Sequence, residues 1–293
     1  MTKIDRSIVS VIKDHLKSIK GMLKIKKVSF SLAVFFSIIL VSIVGPIIYK
    51  TDPFEKVGPR EQGPSQLFPL GTDTYGRDLL AQMLQGIRNS MYVGVISAAI
   101  ATSVGVLIGV IAGFKGGTGD SLLMLVTDVV FLLPSILIMM LIAAYVQDRS
   151  FYLIAAIIGA TSWPWIARSV RAQILTLKAR DFVNMSKMSG LSDAKIIFFD
   201  LIPNMFSMVF LSFVSLVSRG MIAEAGLSMI GLGMTKNTSL GIILYFATQG
   251  QAVRRNMWWW FIPPGLLLVV LTTSLLLLSI SLDEYFSPRL RGD

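Results

Sequence analysis

Long uncharged apolar runs alternate along this chain with shorter polar intervals. Residues 28–49 carry no charge over 22 positions, enough for a helix to cross a hydrocarbon layer of ~30 Å. Residues 50–90 are polar, and Pro53, Pro59, Pro64 and Pro69 make the first part an irregular loop. A second span is predicted at 91–114, rich in Gly, Ala, Ser and Val. After a tight turn at 115–120 a third follows at 121–146, containing Asp128 and Pro134. A fourth starts at Phe151 and reaches Pro164 near its end. A fifth begins near Met205 and carries Arg219 and Glu224. Gly220, Gly226, Gly231 and Gly233 should make its second half easy to break. Residues 234–257 read as an outer loop. The sixth span, 258–282, is led by three tryptophans, as expected at a membrane edge.

Two polar intervals have their own periodicity. At 1–27, Ile4, Ile8, Ile12, Leu16, Ile19 and Leu23 form a stripe among eight Lys and Arg. That pattern predicts an interfacial helix with its lysines toward headgroups. At 168–204, Phe182, Met185, Met188 and Ser189 recur at helical spacing, predicting a short amphipathic helix over 181–189. Gly190 sits where a helix stops, Ser192 can cap the next, and that second helix runs from Asp193 to Ile202 and meets Pro203. A helix–glycine–helix between two spans is a rigid knob presented to something outside the bilayer.

Composition sharpens this picture. Hydrophobic residues make up 54% of the 293 and the mean hydropathy is +0.70, against about 45–50% apolar in a soluble domain. The chain has no cysteine and one histidine, His15, which excludes disulfides, thiolate metal sites and a histidine-rich centre. The net charge of +10 reflects cationic loops facing an anionic leaflet. With the N-terminus inside, seventeen Lys and Arg lie on the inner side and nine on the outer. Both ends and the 168–204 loop are therefore expected in the cytoplasm.

Charges within spans are costly, so Asp128, Arg219 and Glu224 should pair or line a wet cavity. Arg219 and Glu224 are five residues apart, ~140° around a helix, and cannot both face one partner. One reading pairs Asp128 with Arg219 across helices; the other has Arg219 or Glu224 lining a path. No GxxxxGK[ST], HExxH or GxSxG pattern occurs. A membrane-embedded enzyme built on Asp128 and Glu224 would lack a nucleophile–base set. A stand-alone channel would have no use for the knob.

Four stretches resemble one family. GTDTYGRD at 71–78 is similar to the GTDxxGRD signature of the peptide/nickel subfamily of ABC importer permeases, matching at Gly71, Thr72, Asp73, Gly76, Arg77 and Asp78. Physically, the glycines permit sharp turns, Asp73 and Asp78 can cap helix starts, and Arg77 can bridge to an aspartate. AEAGLSMIGLG at 223–233 and SLDEYFSPRLRG at 281–292 also resemble this family. The 168–204 interval resembles its EAA loop: Asn184, Met185 and Ser186 fall at E-A-A, Gly190 at the glycine, and Asp200, Ile202 and Pro203 at the closing I, L and P. Gly190 and Pro203 match strictly.

The resemblance implies an all-α integral membrane protein with six transmembrane helices and the type I ABC importer permease fold. Its parts would be an interfacial helix at 1–27, a first span at 28–49, an extracytoplasmic loop at 50–90, a core at 91–282 with the coupling loop, and a cytoplasmic tail at 283–293. It implies a coupling helix, with Phe182, Met185, Met188 and Asp193 among its residues, docked on an ATPase. The expected partners are a second permease, two ATP-binding subunits that hold ATP and Mg, and an extracytoplasmic solute-binding protein. This chain itself would bind no cofactor. The implied cargo is an oligopeptide or dipeptide; some similar permeases carry oligosaccharides. MWWWF at 257–261 could stack on sugars or anchor at headgroups.

Overall fold

A computed structural model describes residues 26–286. The predicted interfacial helix at 1–27 lies outside the described residues except for the first two positions of α1. Helix α1 (Lys26–Ile48) is uncharged after Lys27 and mostly exposed, and it leans on α2 and α10. Helix α2 (Leu79–Lys115) starts a dozen residues before the predicted span. At 1.5 Å per residue its 37 residues reach ~55 Å, longer than the hydrocarbon. Its first turns hold Gln82, Asn89 and Ser90, which are buried because tertiary partners satisfy them. Local polarity therefore placed the helix start too late.

The predicted third span is broken. Helix α3 (Gly117–Leu132) and α4 (Ser135–Tyr145) meet at 80°. The cause is Pro134, which drives Leu133 to extended φ −75°, ψ 132°. Helix α5 (Phe151–Lys178) instead runs through Pro164 for 28 residues, so the first part of the 168–204 interval is the end of a span. Among the described residues five helices are long and apolar enough to cross a membrane, or six if the bent α3–α4 pair is one span.

Helix α6 (Asp181–Met188) is followed by α7 (Asp193–Lys195), a π-helical segment (Ile196–Leu201) and α8 (Ile202–Met229). The helix predicted to stop at Pro203 continues straight into the fifth span. Pro203 offers no N–H and its ring would crowd the carbonyl four residues back. The π segment relieves this by widening the register, with the Ile202 N–H bonding to the Ile197 carbonyl. Gly220 and Gly226 do not break α8, and Gly220 packs against Gly94 and Ser97 of α2, whereas Gly231, at φ +81°, ends it, with the Gly231 and Leu232 N–H groups bonding to the Ser228 and Leu227 carbonyls. The outer loop at 234–257 contains α9 (Leu240–Gln249), buried against α8. Helix α10 (Trp258–Phe286) closes the described chain and extends into the predicted tail.

The most extensive packing joins α2 to α5. Gly105, Gly109 and Gly113, spaced four apart, lie against Ile166, Val170 and Ile174, where an added Cβ would come within 3 Å. In lipid no hydrophobic force holds helices together, so this close approach supplies the contact. Large side chains such as Phe36, Leu122, Leu141 and Leu266 remain exposed on the outside, as a lipid-facing surface requires.

Candidate functional site

The knob is built around Gly190, at φ +75°. Its N–H bonds to the Lys187 carbonyl at 3.0 Å, and the Leu191 N–H reaches the Ser186 carbonyl at 3.2 Å. This pair of bonds is the Schellman arrangement that ends a helix with glycine in the left-handed region. Ser192 has cap geometry but accepts no side-chain hydrogen bond from α7, contrary to expectation. Val183, Ile196 and Leu201 are buried and root the knob in the core. Lys178 Nζ donates to the Phe114 carbonyl at 2.5 Å, fastening the end of α5 to the end of α2.

Outward, Phe182, Met185 and Met188 are exposed, Met188 at 89%. Asn184 and Asp193 are exposed beside them and Ser186 is half-buried. The apolar face continues over Leu191, Phe198 and Phe199, which sequence reading did not single out. Their signal was there: Phe198 and Phe199 form an apolar pair on a segment flanked by Lys195 and Asp200.

The 71–78 loop has a different character. Asp73 is fully buried. Its carboxylate accepts from the N–H groups of Tyr75 and Arg77 at 2.8 and 2.9 Å, from Arg77 Nε at 2.6 Å and from Gln82 Nε2 at 3.1 Å. Asp73 thus shapes a turn and does not cap a helix. Asp78 does cap one, accepting from the Ala81 N–H at 3.0 Å at the start of α2. It also accepts from the Tyr49 hydroxyl.

Thr72 donates to the Pro59 carbonyl at 2.6 Å and accepts from the Gln62 N–H at 2.9 Å. Gly71 and Gly76 have φ of +73° and +79°, and a Cβ at either would strike a carbonyl oxygen at 2.4 Å. The Arg77 guanidinium stacks on Tyr75 and Phe246. All six signature residues therefore fold residues 50–78 onto the N-terminal end of α2.

The intramembrane charges separate. Asp128 is 2.9 Å from Arg168, within ion-pair distance though without hydrogen-bond alignment. Of the two readings, the one that pairs Asp128 with Arg219 is not met, because Arg168 on α5 takes the carboxylate. Arg168 also lies over the Phe131 ring at 4.6 Å. Arg219 is exposed, and its guanidinium lies 5.1 Å above the Trp165 ring. Glu224 points elsewhere and is fully buried. It accepts from Ser90, Ser228 and Ser239 at 3.1, 2.7 and 2.6 Å. Ser239 in turn caps α9 through the Ile242 N–H at 3.1 Å. Glu224 therefore ties α2, α8 and α9 together.

Two cavities meet at Trp165. One, of 570 Å³, is lined by polar groups including Gln173, Asn204, Ser207, Ser215 and Asp283. The other, of 270 Å³, is lined by Phe131, Ser135 and Arg219 among others. Trp165 lines both: the first cavity lies along α5, α8 and α10, and the second lies among α3, α4, α5 and α8 with a mostly apolar lining around Arg219.

The profile described as "Binding-protein-dependent transport system inner membrane component" matches residues 105–292. The chain is 33% identical over 257 residues to the oligopeptide transport system permease protein OppC of Lactococcus lactis subsp. cremoris (strain SK11), covering 86% of this chain and 85% of that one. It is 30% identical to OppC of Bacillus subtilis (strain 168), over 79% of this chain and 75% of the relative. To the dipeptide transport system permease protein DppC of the same strain it is 31% identical, over 72% and 67%. These relatives are permeases and not enzymes. The all-helical, span-rich architecture has the same meaning as these matches: the chain belongs to the family of binding-protein-dependent transport system inner membrane components, with the type I ABC importer permease fold.

Proposed function

We propose that this chain is one of two permeases of a cytoplasmic-membrane importer for peptides, with both termini in the cytoplasm. The observation that carries the reading is the polar cavity of 570 Å³ along α5, α8 and α10, which shares Trp165 with the smaller cavity at Arg219. Hydroxyl, amide and charged groups at membrane depth are tolerated where they line water, not where they meet lipid. A second permease would close the cavity into a path. The exposed apolar knob around Gly190 supports docking on an ATP-binding subunit, with ATP and Mg held there. Closure of two such subunits would move the knob and rock the spans, and a solute-binding protein would deliver cargo from outside.

Peptide is favoured as cargo because the relatives are oligopeptide and dipeptide permeases. An oligosaccharide reading would use the tryptophans at 258–260 as a platform. Trp260 is fully buried and Trp259 packs beneath Gly63 and Gly71, which leaves Trp258, half exposed, as the one open ring of the three.

The test is labelling of the assembled importer in inverted vesicles. With cysteine at Ser207, Ser215 or Leu266, a membrane-impermeant, charged thiol reagent should modify the first two and spare the last. Protection of Ser207→Cys and Ser215→Cys would refute the path.

A further inference from the structure

The geometry points to Arg219, held on Trp165, as a transient binding site for the C-terminal carboxylate of the passing peptide. The inference rests on the cavities at Trp165 being the path. Arg219 lies deep in α8, ten residues before its outer end. An arginine turned to lipid near a helix centre costs about 2.5–3.5 kcal/mol even on the most lenient scales. Exposure on the isolated subunit therefore means that water, cargo or a partner meets it.

The nearby intramembrane carboxylates are already engaged. Asp128 is paired with Arg168. Glu224, five residues on, is turned into its three serine hydroxyls. Among the described residues no carboxylate pairs with Arg219. The Asp128–Arg168 pair is neutral as a unit, so the pocket beside Phe131 carries one net positive charge.

The cation–π contact with the Trp165 ring holds the guanidinium in place, and among the described residues its N–H groups make no hydrogen bond or ion pair. Those N–H groups match a carboxylate in bidentate fashion. Ser135 lines the same small cavity. A carrier of peptides with varied side chains needs a handle that does not vary, and the terminal carboxylate is such a group. A single cation facing water binds it weakly enough to release it.

The experiment uses the complete importer, with its partner permease, ATP-binding subunits and binding protein, in proteoliposomes. Uptake of radiolabelled tetra-alanine is compared with that of its C-terminal amide, for wild type, Arg219→Gln and Arg219→Lys. Any preference of the binding protein is common to all three and cancels in the acid-to-amide ratio. Arg219→Gln should lower acid uptake about tenfold, the loss expected for a charge-assisted hydrogen bond, and leave amide uptake unchanged. Arg219→Lys should keep most of the preference.

An unchanged ratio in Arg219→Gln overturns the inference while leaving the path reading intact. Equal loss of both substrates with less assembled complex overturns it too, and makes Arg219 an ion-pair partner of the second permease. Wild type that takes up neither peptide overturns the peptide reading itself.

Discussion

Asp128 on α3 and Arg168 on α5 stand 2.9 Å apart, each nearly half exposed on the isolated subunit. This pair joins the two helices near the α3–α4 bend, and Arg171 on α5 donates to Asp120 at 2.6 and 2.7 Å nearer the start of α3. Removing either partner leaves an uncompensated charge, whereas removing both does not.

The pair predicts a double-mutant result. Arg168→Ala should reduce the amount of assembled subunit, and Asp128→Ala added to it should partly restore that amount. A coupling energy of about 1 kcal/mol is expected. Arg219→Ala should show no such coupling with Asp128→Ala. Thermal melts of the detergent-purified complex measure both.

Gly190 predicts a graded series. Nothing lies within 4 Å of where its Cβ would be, so the positive φ is the whole constraint. A β-branched side chain there costs about 1–2 kcal/mol or more, whereas asparagine visits this region readily. Gly190→Val should abolish transport at normal membrane abundance, with ATP hydrolysis no longer stimulated by loaded binding protein. Gly190→Ala should be milder and Gly190→Asn close to wild type. Wild-type transport by Gly190→Val would sink the coupling role.

Glu224 predicts a loss of stability. Glu224→Ala leaves the Ser90 and Ser239 hydroxyls buried without their acceptor, at about 1–3 kcal/mol for each unsatisfied group. Ser228 can turn back to its own helix carbonyl. The melting temperature of the subunit should fall by about 5 °C or more, and less for Glu224→Gln, which keeps one acceptor oxygen. Unchanged melting of Glu224→Ala would show that the three serines find other partners.

Topology is tested by single cysteines in a chain that has none. Leu67 and Lys236 are exposed beyond one end of the spans, and Lys187 is exposed on the knob. An impermeant thiol reagent added to intact cells should label Leu67→Cys and Lys236→Cys, and Lys187→Cys only after lysis. External labelling at 187 would invert the orientation.

The sequence by itself determined where apolar runs are long enough to cross a bilayer, the bias of Lys and Arg to one side, the glycine stop at 190 and the family. Each is a local property: a count, a spacing or a motif. The helix around 181–189 was legible because its cap and its periodicity agree. The sequence also placed Arg219 and Glu224 on different sides of one helix, since 100° per residue suffices for that.

Only the tertiary structure decided what each charge meets. Residues 128, 168 and 219 lie on three helices, and periodicity within one helix carries no information about its neighbour's rotation. For the same reason Asp73 looked like a helix cap, although Gln82 and Arg77 make it the buried centre of a loop. Pro203 looked like a stop until a π segment absorbed it. The polar start of α2 looked like loop until Asp73 and Thr238 supplied partners for Gln82 and Asn89. Helix α9 was lost in an outer loop because a ten-residue helix cannot span, and its burial comes from packing against α8, α10 and α2. For Asn89 and Asp128 the partner that settles the conformation lies far along the chain, at Thr238 and Arg168, whereas Asp73 is settled by Arg77 and Gln82, which only the three-dimensional path of the loop brings onto its carboxylate.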